Sequence, residues 1–324
     1  MKKIHLIVLA VVLLMTGVLS GCTGASSGVN TDKIQVTATL FPQYDWMRQI
    51  IGEDNEYIEL NLINDSGTDL HSYQPTVQDV ALMSESDLLV YTGGESEEWV
   101  LDMQQEAAND KLQIVSLLDV LGEQAVAEEE VGAKAERTHS HTEEELEYDE
   151  HVWLSVKNAM MYVQYLSNMI VQLDPEHADT YEANTKAYLA KLEALDEQYQ
   201  TVVDNASSST LVYADRFPFR YMVEDYGLTY YAAYSGCSAD TQVTFETITS
   251  LAAYMDQTEA NAILIIDNSD ESLAKTVLKY TNNPNRQILK MKSLQSATKS
   301  QIAEGLNYLD VMNENLAVLE KALG

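Results

Sequence analysis

The chain has 324 residues, 46% of them apolar and only five of them proline, which excludes a disordered polymer and points by length to two domains, each with its own core. Against 19 Lys and Arg stand 51 Asp and Glu, a formal net charge of −32. That balance excludes nucleic-acid binding, which needs clustered cations to neutralise phosphates; it disfavours adsorption to anionic lipid and is compatible with a cationic ligand. The two cysteines, Cys22 and Cys237, exclude a disulfide scaffold.

In chain order, Met1-Lys2-Lys3 precedes an almost wholly apolar run over 4–14, loosened by Thr16 and Gly17. This predicts a secretory signal over 1–21, too short for an ordinary membrane span. It closes on Leu19-Ser20-Gly21-Cys22, which resembles a bacterial lipobox. That resemblance implies cleavage before Cys22, a diacylglycerol on its thiol and Cys237 left as a free thiol. Residues 22–33, rich in Ser, Gly and Thr, then form a lipidated flexible tether on the outer face of the cytoplasmic membrane.

The mature chain alternates strand and helix patterns. Strands are predicted over 33–39, 57–63, 87–91 and 112–115, with helices over 42–51, 76–84 and 96–109 between them. The stretch 123–150 holds little apolar material and His139-Ser140-His141, and reads as a mobile acidic loop. A helix over 156–173 follows. Asp174-Pro175 then starts a long helix to about residue 205, with Tyr181, Tyr188, Leu192, Leu195 and Tyr199 on one stripe. Beyond Ser207-Ser208-Ser209 the alternation resumes: strands over 211–214, 228–233, 262–266 and 287–289, helices over 217–226, 244–256, 271–280 and 301–323. The fold class is α/β, two αβ lobes with mainly parallel sheets joined by one long rigid helix. The lobes span 34–173 and 209–324, with the connecting helix over 174–208.

No phosphate-binding glycine loop, nucleophile elbow or H-E-x-x-H helix occurs, so no enzyme is expected. Five histidines remain after the leader: His71, His139, His141, His151 and His177. His71 sits in a polar loop after a strand, where an imidazole reaches a cleft; His151 follows Asp149-Glu150, carboxylates suited to orienting a metal-bound imidazole. Taken alone, each is more often a surface or packing histidine. His177 reads as a solvated helix start.

Several segments resemble the zinc- and manganese-binding lipoprotein receptors of bacterial ABC importers, the cluster A-I family. They are Thr39-Leu40-Phe41-Pro42-Gln43-Tyr44-Asp45-Trp46, His71-Ser72-Tyr73-Gln74-Pro75, Ser86-Asp87-Leu88-Leu89-Val90-Tyr91, Glu98-Trp99 and Asp149-Glu150-His151-Val152-Trp153-Leu154. Asp225-Tyr226-Gly227-Leu228, Tyr308-Leu309-Asp310-Val311-Met312 and Asn315-Leu316 continue the likeness in order. The resemblance implies two lobes bridged by a rigid helix, one metal between them, and His71 and His151 as ligands.

The family's third ligand, a His or Glu, falls here on Arg216, and its fourth, a carboxylate, on Lys292; neither cation can ligate a metal. Asp215 and Asp267 are the candidate replacements, Asp215 being readable also as a salt-bridge partner of Arg216 or a helix cap. The loop pair His139 and His141 resembles the family's auxiliary zinc-catching loop. The resulting expectation is a monomeric, lipid-anchored receptor that captures Zn²⁺ in preference to Mn²⁺ and delivers it to an ABC permease, its affinity falling below about pH 6.5 as histidine protonates. Two alternatives keep the fold: binding of a small carboxylate or metal–organic chelate beside Arg216 and Lys292, or cell adhesion with a degenerate metal site.

Overall fold

The computed structural model describes residues 33–105, 107–127, 147–234 and 243–324. The leader, Cys22, Cys237, His139 and His141 lie outside the described residues.

The first lobe runs β1 (Ile34–Ala38), α1 (Phe41–Ile51), β2 (Ile58–Leu62), α2 (Val77–Ser84), β3 (Leu88–Tyr91), α3 (Trp99–Gln105), β4 (Gln113–Ser116) and α4 (Leu117–Leu121). Its sheet is parallel throughout, in the order β2-β1-β3-β4. The central strand β3 is buried along its whole length, which is why it reads as an unbroken apolar run. Two helices, α5 (Val156–Leu173) and α6 (Ala178–Asn205), lead to the second lobe: β5 (Thr210–Tyr213), α7 (Arg220–Asp225), β6 (Thr229–Ala232), α8 (Phe245–Gln257), β7 (Ala262–Ile266), α9 (Ser272–Leu278), β8 (Gln287–Met291), α10 (Lys299–Ala303) and α11 (Tyr308–Leu323). The second sheet, also parallel, has the order β6-β5-β7-β8. Both sheets therefore carry the same topology.

Helix α6 has 28 residues, about 42 Å at 1.5 Å per residue. Its buried stripe is the one the spacing predicts, Tyr181, Tyr188, Leu192, Leu195 and Tyr199, and it packs on α5, α1 and α11. Burying this stripe unites the lobes, since one apolar core runs from Val36 of β1 through the helix to Leu323. Polar ties cross the same junction. Tyr308 N donates to Asp45 Oδ2 at 2.7 Å and Tyr308 Oη to the Trp153 carbonyl at 2.7 Å, while Trp153 Nε1 donates to the Ser293 carbonyl at 2.9 Å.

Three element expectations change. The helix expected over 217–226 begins only at Arg220, because Pro218 forces Phe217 out of the helical region. The one expected over 301–323 is split: Gly305, at φ +97°, ends α10, and the Asn307 side chain caps α11 by accepting from Asp310 N. Finally, the ends of the acidic stretch 123–150 are ordered. A short 3₁₀ turn holds Gly122–Gln124, Ala127 pairs with Tyr148, and Asp149 and Glu150 are buried.

Candidate metal site

Chain segments leaving the C-terminal ends of the strands of both sheets converge where the lobes meet, as expected for ligand sites of open parallel sheets. His71 follows β2, Ser96 follows β3, Asp215 and Arg216 follow β5, Asp267 follows β7, and Gln295 follows β8.

The His71 loop is fixed by local hydrogen bonds. Asn64 Nδ2 donates to the Thr68 carbonyl, and Asp69 caps a single 3₁₀ turn, Leu70–Ser72, by accepting from His71 N at 3.1 Å. Buried Leu70 anchors the turn in the core. His71 Nδ1 meets Ser96 Oγ at 2.8 Å, which turns Nε2 toward the cleft.

His151 enters from the segment before α5. Asp149 Oδ1 accepts both its backbone N–H and its Nδ1–H, each at 2.8 Å. That carboxylate places the ring proton on Nδ1 and leaves the Nε2 lone pair bare, as in carboxylate–histidine–metal arrangements.

The two Nε2 atoms stand 3.3 Å apart. Two ligand nitrogens bound tetrahedrally at about 2.0–2.1 Å to one zinc ion are separated by about 3.3–3.4 Å, so the pair fits a shared cation without rearrangement. Gln295 completes the cluster from the second lobe: its Nε2 lies 2.7 Å from His151 Nε2 and 3.3 Å from His71 Nε2. A half-turn of the amide exchanges N–H for carbonyl oxygen, a metal donor.

The remaining sequence candidates have other partners. Asp215 is buried, with Oδ1 accepting from Arg216 N and Oδ2 from Ile266 N, so it braces the start of its loop against β7. Asp267 Oδ1 accepts from Ser293 N and Oγ. Arg216 Nη2 reaches Asp69 Oδ2 at 3.2 Å, and Lys292 Nζ pairs with Glu314. Among the described residues no group of three His, Cys, Asp or Glu side chains is placed to hold a metal. Sequence reasoning missed Gln295 because an amide carries no ligand signal and the family pattern pointed three residues earlier. Leu294, at φ +56°, makes the turn that delivers it. A left-handed turn is read from Gly or Asn, and Leu hides it.

Buried carboxylates surround the pair. Glu150 Oε1 accepts from Ser96 N at 2.8 Å and its Oε2 lies 3.8 Å from His71 Nδ1. Burial raises the pKa of Glu150, and pushes that of Glu97 up to about 7 although Glu97 accepts from Thr92 N. Gly94, at φ +82°, lets the post-β3 loop lie against Glu150, and a Cβ there would collide with the Glu150 side chain. Gly94→Ala is expected to destabilise the fold by about 1–3 kcal/mol and to displace Ser96 from His71; thermal denaturation and metal titration of the variant check both effects.

Burial, followed by the neighbouring His151 imidazole and the Arg216 cation, lowers the His71 pKa to about 4, with Asp69 and Asp149 opposing. This moves the expected acid loss of ligation downward from pH 6.5. A base whose pKa is depressed on folding contributes stability that is present above the unfolded value of about 6.5 and drains as pH falls through the folded value. The His71 ring signal in an NMR titration should thus have its midpoint well below 6; a midpoint above 6 contradicts this.

A family model described as zinc-uptake complex component A, periplasmic, matches residues 36–322. The chain belongs to this family. It is 27% identical over 308 residues to the zinc-binding protein AdcA of Streptococcus pyogenes, with 92% of this chain and 57% of that protein covered. The chain thus spans little more than half the length of the first curated relatives it matches. The high-affinity zinc uptake system protein ZnuA of Bacillus subtilis is 26% identical over 98% of this chain and 96% of its own length. The crystal structure of the Zn(II)-bound ZnuA-like domain of Streptococcus pneumoniae AdcA superposes with a TM-score of 0.69 at 25% identity, covering 90% of this chain and 99% of that one. The family is one of transport components that bind a solute, which sets its chemistry apart from that of enzymes, and its description places it outside the cytoplasm.

Proposed function

We propose that this chain captures Zn²⁺ between its lobes with His71, His151 and the Gln295 amide oxygen, and delivers it to an ABC permease while tethered to the membrane through Cys22. The observation that carries the reading is the 3.3 Å spacing of the two Nε2 atoms, with Asp149 orienting one ring and Ser96 the other. Two imidazoles favour zinc over manganese, which prefers carboxylate and water oxygens. The relatives named for zinc support the same choice. Zinc is the cargo here, and it must leave again; a donor set without a direct carboxylate suits release. Asp149, Asp69 and Glu150 supply negative charge from behind the ligands.

The cations that suggested an anionic or chelated ligand are already paired, Arg216 with Asp69 and Lys292 with Glu314, so the simple cation is preferred. Isothermal titration of the purified chain with Zn²⁺ and Mn²⁺ tests the proposal. Tight 1:1 zinc binding is expected, with manganese weaker and with no requirement for histidine or citrate. Absence of sub-millimolar zinc binding overturns it.

A further inference from the structure

Arg216 stands at the third-ligand position of the family pattern, and the structure gives it a different partner. Its guanidinium crosses the cleft from the second lobe to Asp69 Oδ2, while the other oxygen of Asp69 accepts from His71 N. Arg216 thus grips the residue that shapes the His71 turn. A second grip lies a few residues upstream. Ser66 pairs with Thr298 in an antiparallel bridge, Gly67 N donates to the Ala297 carbonyl at 2.9 Å, and Lys299 N donates to the Asp65 carbonyl at 3.0 Å. Lys299 Nζ also pairs with Asp65 Oδ2 at 3.0 Å. Gly67, at φ +79°, permits the close approach, since a Cβ there would stand 2.8 Å from Thr298 Cγ2.

The two strands of this bridge lead directly to the site: residues 65–69 run into His71, and residues 297–299 follow Gln295. Two carboxylates of the first lobe, Asp65 and Asp69, therefore meet two cations of the second, Lys299 and Arg216. The two ligating rings also differ in access. The His151 side chain is 1% exposed, whereas that of His71 is 24% exposed, so the solvent-facing wall of the site is the clasped one.

We propose that Arg216 is a positioning residue which, through Asp69 and together with the 65–67/297–299 bridge, clasps the His71 loop shut, and that a bound cation leaves when this clasp opens. The release role rests on the zinc-binding reading above; the clasp itself does not. It is built from contacts that need no metal, and it gives Arg216 a task where the family places a ligand.

The test uses the full chain and its Arg216→Gln and Arg216→Lys variants. In the absence of metal, hydrogen-exchange NMR should show the Gly67 and Lys299 amides exchanging about fivefold faster in Arg216→Gln, the loss of one partly exposed ion pair. Amides of β1 and β3 should be unchanged, and Arg216→Lys should restore most of the protection. With zinc as probe, dissociation into excess chelator, followed by stopped flow, should accelerate by a similar factor in Arg216→Gln and recover in Arg216→Lys. Ionic strength should speed release from the wild type more than from Arg216→Gln, because salt screens the pair that the variant has lost. Unchanged protection at both amides overturns the clasp. Faster exchange with unchanged zinc release overturns its role in release. A wild-type chain that binds no zinc overturns the functional reading, and the exchange measurement still decides the clasp.

Discussion

His151→Ala is expected to weaken zinc binding by about 100-fold. Structural zinc sites are worth about 10–16 kcal/mol over four ligands, or about 3 kcal/mol for each, and 1.4 kcal/mol is a factor of ten. The loss at this position should exceed that at His71, because His151 is the ring whose donor atom is fixed by a carboxylate and whose surroundings exclude water. Removing it also leaves Asp149 Oδ1 without the Nδ1–H donor and Gln295 without its 2.7 Å partner. Replacing the orienting group instead, Asp149→Asn, should cost about 10–100-fold, the usual effect of a residue behind a metal ligand. Isothermal titration of the two variants with zinc checks the order, and a His151→Ala chain that binds as tightly as the wild type removes the site assignment.

Trp153→Ala should produce the largest loss of stability, about 3–5 kcal/mol for emptying a fully buried indole position. At about 2–4 °C per kcal/mol for a chain of this class, the melting temperature should fall by roughly 10 °C. The indole packs beside the His151 ring with centroids 5.2 Å apart, and its Nε1 donates to the Ser293 carbonyl two residues before Gln295. The same change therefore loosens a proposed ligand in each lobe. Trp153→Phe refills most of the volume without the donor and should separate the effects: most of the stability returns, while zinc affinity stays reduced. Calorimetry with parallel metal titration reads both.

The two-lobed α/β fold was legible because its strands are apolar runs separated by helical periods, and because the α6 stripe repeats at three- and four-residue steps. The helix ends were less legible, as at Phe217-Pro218-Phe219, where a proline two residues inside the apolar pattern delays α7. In the candidate site, His71 and His151 were singled out from their motifs, and the structure brings the two rings together. Their supports were only partly legible: Asp149 and Glu150 read as carboxylates able to orient an imidazole, but they also close a stretch that reads as a mobile loop, and both are buried beside the rings. Composition could not show this, since burial is decided by what packs over a segment, here Tyr221, whose hydroxyl donates to the Asp149 carbonyl. Asp215 carried the right chemistry at the right place, but two backbone N–H groups hold its oxygens. The contact to Ile266 N depends on the pairing of β5 with β7 and leaves no local trace.

The closing helix α11 has a consequence for the order in which the chain can fold. Its first residue, Tyr308, satisfies the fully buried Asp45 carboxylate 263 positions earlier, and its hydroxyl holds the Trp153 carbonyl. During synthesis the first lobe is complete in sequence long before that partner exists, and Asp45 then has its near neighbours Arg48 and Gln49 without the Tyr308 N–H. Closing so long a loop adds little to the entropy cost per residue but delays the contacts that reward it. The nascent first lobe should therefore remain loosely packed until the first turn of α11 emerges.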